Sequence, residues 1–219
     1  MNSPLIQLLV LAGIAVFLII RLRGVLGTRE GFEKPAVTRP DPDRRRTPEF
    51  DVIDGGPDLD ITDHVSEGSA AATALAAMKR TDPSFNVGEF LGGARGAYEM
   101  ILMAFENSDL ESIKPFISDD VYEAFAGVVE DRERKGLTVE ANFIGVSDMT
   151  LAHAEFDEAT KEGDISVRFK SEMTSVVRDN AGDIVEGSEK EIKRQKDTWT
   201  FSRSMDSGDP NWRLVATGE

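Results

Sequence analysis

The sequence predicts an α+β fold in which helices come first and then pack on one face of an antiparallel sheet. Two observations predict it. Up to Gly136 apolar residues recur at helical spacing, and from Leu137 onward they alternate with polar ones. The two regimes follow one another with little interleaving, which separates α+β from a βαβ arrangement. A chain of 219 residues, 40% of them apolar, has room for one such domain and some additional segments.

Ahead of the domain runs the stretch LIQLLVLAGIAVFLIIRLR, Leu5 to Arg23. Pro4 suits a first helical position and Ser3 can precede it as a cap. A helix from Pro4 to Leu22 would reach about 28 Å, close to the roughly 30 Å of a bilayer core. No Lys or Arg precedes Leu5 and no small-residue cleavage site follows, so the segment reads as an anchor rather than a secretory signal. Arg21 and Arg23 flank it on the C-terminal side, with Arg29 beyond, which places the body of the protein on the cytoplasmic side. Residues 1–23 are therefore expected to form a single transmembrane anchor; an uncleaved export signal is the alternative.

Residues 24–65 read as a basic, Pro-rich linker without regular structure. Five of the nine prolines, Pro35, Pro40, Pro42, Pro48 and Pro57, fall in it, together with Gly55 and Gly56. Arg39, Arg44, Arg45 and Arg46 are candidate contacts for anionic lipid, since a tether holds them near headgroups; the alternative is a solvated run. Residues 66–80 are Ala-rich with good helix propensity, and their thin apolar face, Leu75 and Met78, predicts a helix that forms when docked.

The domain proper is expected over 81–219. Asn86 with Glu89 resembles a capping box, and Phe90, Ala94, Ala97, Tyr98, Ile101, Leu102 and Phe105 then mark one buried helical face. Gly92, Gly93 and Gly96 lack the strand and the Gly-Lys-Ser/Thr ending of a phosphate loop, so close packing of a second helix is the expectation for them. Ser108 to Glu111 reads as a second box opening a short helix that stops near Pro115. Ser118 caps a third helix with Asp119 and Asp120 in its first turn, the stripe Val121, Tyr122, Phe125, Val128 and Val129, and Gly136 past its end.

Strand periodicity follows at Val139, Ala141 and Phe143, at Ile165, Val167 and Phe169, and at Trp199 and Phe201. Turn chemistry separates these runs at 161–164, 179–182 and 207–210.

Charge is unevenly divided. Residues 1–48 hold eight Lys/Arg against four Asp/Glu, whereas 49–219 hold 17 against 36, a net of −19 within a chain total of −15. A body that acidic is unsuited to nucleic acid. With no cysteine, disulfides, thiolate nucleophiles and Cys-type zinc sites are excluded. His64 and His153 have no metal-ligand spacing and the carboxylates form no calcium loop, so no metal and no cofactor is expected. His153 is the one histidine within 81–219 and thus the catalytic candidate to weigh; its strand register, and hence its burial, is left open by the sequence.

Several blocks together resemble a known family: Asp82-Pro83-Ser84-Phe85, Phe90-Leu91-Gly92-Gly93-Ala94, Gly136 to Val139, Val167-Arg168-Phe169, Asp197 to Arg203 with Trp199-Thr200-Phe201, and Pro210 to Thr217. The stretch from about 80 to 219 is similar to the C-terminal domain of the Tim44-like family of the mitochondrial import motor, and closer to its alphaproteobacterial relatives, the TimA type of membrane-associated adaptor. The resemblance implies a nuclear-transport-factor-two-like cone, with helices on a curved antiparallel sheet and a hydrophobic pocket. It also implies association with a bacterial inner membrane and no catalysis. The first 80 residues depart from the mitochondrial pattern, so chaperone and channel binding are not carried over.

From the resemblance and the residues together, the chain is expected to be a single-pass inner-membrane adaptor or scaffold with its C-terminal domain in the cytoplasm. Its partners are expected to be the membrane, an unidentified membrane-associated protein and anionic lipid, with a role related to protein translocation or membrane-protein assembly. Candidate pocket-lining residues are Phe125, Phe143, Phe169, Trp199, Phe201 and Trp212. The rival readings are a lipid or small-molecule pocket, a cone-fold isomerase or dehydratase, and a ribosome-associated tether.

Overall fold

A computed structural model describes residues 56–218. The expected anchor over 1–23, its flanking Arg21 and Arg23, and Arg39, Arg44, Arg45 and Arg46 of the linker lie outside the described residues. Among the described residues no helix is long and apolar enough to cross a membrane.

Among the described residues five helices precede four strands: α1 (Leu59–Thr62), α2 (Ala70–Thr81), α3 (Val87–Glu106), α4 (Leu110–Ile113), α5 (Asp119–Arg134), then β1 (Thr138–Phe156), β2 (Glu162–Arg178), β3 (Ile184–Ser204) and β4 (Arg213–Gly218). The strands form one open antiparallel sheet in the order β1-β2-β3-β4, with helices against one face. The fold is therefore α+β.

Local chemistry explains most helix ends. The Ser69 hydroxyl accepts the Ala72 N–H at 3.1 Å and starts α2. The Asn86 side chain accepts the Glu89 N–H at 2.8 Å and starts α3, and Ser118 does the same for α5 through the Val121 N–H. Gly136 ends α5 with φ 64°, its N–H on the Glu133 carbonyl and the Leu137 N–H on Arg132. A Cβ there would lie 2.0 Å from the Asn180 side chain, so the close approach also demands glycine.

One cap differs from the sequence reading. Ser108 does not cap α4; it adopts φ 60° and its N–H closes the end of α3 on the Phe105 carbonyl. Asp109 takes the cap position without a side-chain bond, and a 3-10 turn, Lys114–Phe116, follows α4.

α2 docks with Leu75 and Met78 fully buried. Asp60 of α1 ties the first three helices together: its carboxylate accepts the Lys79 ammonium at 2.8 Å and the N–H groups of Val87 and Gly88 at 2.9 and 3.1 Å. A carboxylate at a helix N-terminus also meets the positive end of its dipole.

Register irregularities bend the sheet. The β1–β2 ladder shifts three times, at Phe143/Gly145, Val146/Asp148 and Leu151/His153. Each bulge adds local twist and keeps the apolar set on the helix side. The core face carries Leu151, Ala154, Ile165, Val167, Phe169, Met173, Trp199 and Phe201, all buried. They pack against Phe90, Ala94, Tyr98, Ile101 and Leu102 of α3. Val128, expected in the α5 stripe, is instead 44% exposed, and only Val121 and Val129 of that helix are fully buried.

Candidate functional site: an apolar groove along α3

The exposed side of α3 forms the floor of a groove. Glu89, Gly92, Gly93, Gly96 and Met100 recur at three- and four-residue spacing and so share one stripe. The opposite stripe of the same helix, Phe90, Ala94, Tyr98 and Ile101, is in the core. Among the described residues no second helix packs on the glycines. A Cβ built on Gly92, Gly93 or Gly96 would find nothing within 4 Å.

Two segments from elsewhere in the chain make the walls. The loop before β4 brings Pro210, Asn211 and Trp212 over the N-terminal half of α3, where the Trp212 ring lies 4.6 Å from Phe90 and 5.8 Å from Phe85. Phe116, from the 3-10 turn, also lines the groove. The β4 start holds both walls in place: the Arg213 guanidinium donates to the Ile117 carbonyl at 2.8 Å, and the Ser118 N–H donates to the Leu214 carbonyl at 2.8 Å. The volume enclosed is about 670 Å³. Met100 and Phe116 remain 41% and 37% exposed, two large apolar side chains presented to the same opening.

Arg203 is the charged group in this apolar wall. Its side chain is 8% exposed and pairs with the Asp82 carboxylate at 2.5 Å. Its guanidinium sits 5.2 Å from the Trp212 ring and 5.9 Å from Phe85. The Nε–H is buried with no hydrogen-bond partner. The hydroxyl and N–H of Ser84, together with Arg203, hold the Asp82 carboxyl below its ordinary value despite the opposing effect of burial.

Of the six aromatics expected to line a pocket, Phe201 and Trp212 reach this groove. Phe169 and Trp199 are sealed in the core around Tyr98, at 4.3 and 4.6 Å between ring centres. Phe143 lies beside the same tyrosine at 6.1 Å. Phe125 packs on Phe105, 4.6 Å away, under Arg132. The groove's Phe85, Met100, Phe116 and Arg203 were not singled out as pocket residues by sequence; the unpacked glycines were the available signal.

His153 does not line the groove. The bulge at Leu151/His153 turns it to the solvent face, where Nε2 lies 2.9 Å from the Glu155 carboxylate, itself exposed. The buried polar cluster of the core is instead Tyr98, whose hydroxyl reaches Ser171 Oγ at 2.8 Å and donates to Asp197 Oδ2 at 2.5 Å. Burial, and then the neighbouring Asp197 carboxylate, push the Tyr98 pKa well above its ordinary value, so the phenol stays protonated. That group is a satisfied network rather than an open reaction site, since its tyrosine is fully buried. Among the described residues there is no cluster of three or more His, Asp or Glu able to hold a metal ion.

The Tim44-like domain family matches residues 71–219. The human mitochondrial import inner membrane translocase subunit TIM44 is 24% identical over 145 residues, 64% of this chain and 31% of the human protein. The Arabidopsis thaliana translocase subunit TIM44-1 is 21% identical over 164 residues, 71% of this chain and 34% of that one. This chain thus spans about a third of the length of the relatives it matches. Among solved structures, the intermembrane space region of the chloroplast protein ARC6 aligns with a TM-score of 0.41 and 8% identity, over 58% of this chain and 94% of that one. With its helices-then-sheet order, its cap at Asn86 and a family match across more than half its length, the chain belongs to the Tim44-like domain family.

Proposed function

We propose that this protein is a non-enzymatic adaptor related to protein translocation or membrane-protein assembly, and that the groove along α3 receives an apolar segment of a protein partner. One observation carries the reading. Gly92, Gly93 and Gly96 lie inside a 20-residue helix, at an intrinsic cost of about 2–3 kcal/mol relative to alanine, and none of the described residues occupies the space they leave. A glycine stripe flanked by Met100, Phe116 and Trp212 suits an incoming apolar helix, whose backbone can approach α3 closely. The names of the relatives, subunits of a mitochondrial import translocase, support the translocation context.

In the same reading residues 1–23 anchor the chain in a bacterial inner membrane as the TimA type does, with the domain in the cytoplasm and Arg39, Arg44, Arg45 and Arg46 near anionic headgroups. The tether raises the domain's effective concentration for membrane-bound partners. A nuclear-transport-factor-two-like cone describes the bent sheet and its helices.

Two experiments test this. A periplasm-dependent reporter fused after residue 60 should be inactive; an active reporter overturns the orientation. Filling the groove with Gly96→Leu should abolish co-purification of membrane partners by the full-length protein while the circular dichroism spectrum is kept; unchanged recovery overturns the groove as the docking site.

A further inference from the structure

We infer that the bare edge of β3 is a second binding site, one that adds an acidic, extended segment of a partner protein to the sheet as a strand. β4 covers β3 only from Thr198 to Ser202. Toward the β2–β3 turn, among the described residues, β3 remains bonded to β2 alone, in unbroken register from Lys193 opposite Met173 to Asp197 opposite Phe169. In a strand so placed, alternate N–H and C=O groups point away from the sheet with no ladder partner. The residues Lys193 to Asp197 also line an open depression of about 540 Å³. A partner strand would occupy the line that β4 follows, end to end with Gly218, which pairs with Thr198.

Charge decides what kind of strand fits. The domain is strongly acidic, yet between Lys190 and Lys196 four cations, Lys190, Lys193, Arg194 and Lys196, meet one carboxylate, Glu191. Arg194 is paired with Glu172 at 2.9 Å. Among the described residues Lys190, Lys193 and Lys196 form no ion pair. Lysines on an edge repel a second copy of the same edge, the usual protection against self-pairing. They leave an acidic strand as the complementary occupant. By strand alternation Arg194 and Lys196 share one face, so the fitting segment sets its Asp or Glu on that face and β-branched residues on the other.

The test uses the full-length protein in detergent micelles and a fluorescein-labelled peptide of about eight residues alternating Glu and Val, the length of a short strand. Its counterpart with Lys for Glu is the control. The acidic peptide should raise anisotropy and slow hydrogen exchange at alternate amides of 193–197, and the basic one should do neither. The variant K190E/K193E/K196E should bind the acidic peptide at least about tenfold more weakly and gain binding of the basic one. Equal binding of both peptides overturns the site. So does binding without amide protection, or protection produced by phosphatidylglycerol vesicles and not by the peptide.

Discussion

Tyr98 and Asp197 meet across the core, the phenol of α3 donating to the carboxylate of β3 at 2.5 Å, with Ser171 Oγ sharing the same hydroxyl at 2.8 Å. This bond adds a polar tether to the apolar stripe, Phe90, Ala94 and Ile101, that seats α3 on the sheet with the glycine stripe facing outward. Tyr98→Phe keeps the ring in its stack with Phe169 but strips Asp197 and Ser171 of their partner. A loss of about 1–3 kcal/mol in urea unfolding is expected, the cost of buried polar groups left unpaired.

Leu75 and Met78 are fully buried, so α2 is part of the domain's core rather than an appendage. Leu75→Ala should cost about 2–5 kcal/mol, and a chain beginning at residue 82 should unfold at lower urea with a smaller slope. Equal stability of the shortened chain would place α2 outside the cooperative unit.

Acid should loosen the α1–α2–α3 junction and the Asp82–Arg203 pair. Burial pushes the Asp60 carboxyl up, but Lys79 and the N–H groups of Val87 and Gly88 outweigh it and hold it below the ordinary 3.8. Asp82 is held low in the same sense, chiefly by Ser84. With folded values below unfolded ones, the unfolded chain binds protons more readily as pH falls. The stabilisation is complete above about pH 4 and is lost as pH drops through the folded values. Urea midpoints measured down that range should fall less steeply in Asp60→Asn, which lacks this titration, than in the unaltered protein.

Glycine-to-alanine changes should separate stability from binding. Gly93→Ala and Gly96→Ala face open space, so each should stabilise the isolated protein by up to about 1 kcal/mol through helix propensity. Both should weaken partner capture, because each methyl group occupies groove floor. A destabilised fold would mean that the stripe is packed in solution.

How much of this was legible depends on range. The caps at Asn86 and Ser118 and the glycine at 136 were readable because each is satisfied within a few residues. Ser108 was not, since the way α3 ends takes it into the left-handed region first. The face of His153 could not be read either: three bulges intervene along β1, and a one-residue slip reverses every side chain. The helices-then-sheet order was legible from periodicity, whereas the groove was not. It arises where Trp212, more than 100 residues from Gly96, closes over a helix whose glycines read as ordinary packing.

The central claim is that a protein segment lies on the α3 groove, and a photo-crosslinking residue at Met100 of the full-length chain in native membranes tests it most directly. Met100 sits at the groove opening, 41% exposed, and Val128, 44% exposed on α5 and outside both proposed binding sites, serves as the control position. Discrete protein adducts at Met100, absent at Val128 and eliminated by Gly96→Leu in the same chain, are the predicted result. Adducts to lipid alone, or protein adducts that persist at full yield with the groove filled, would contradict it.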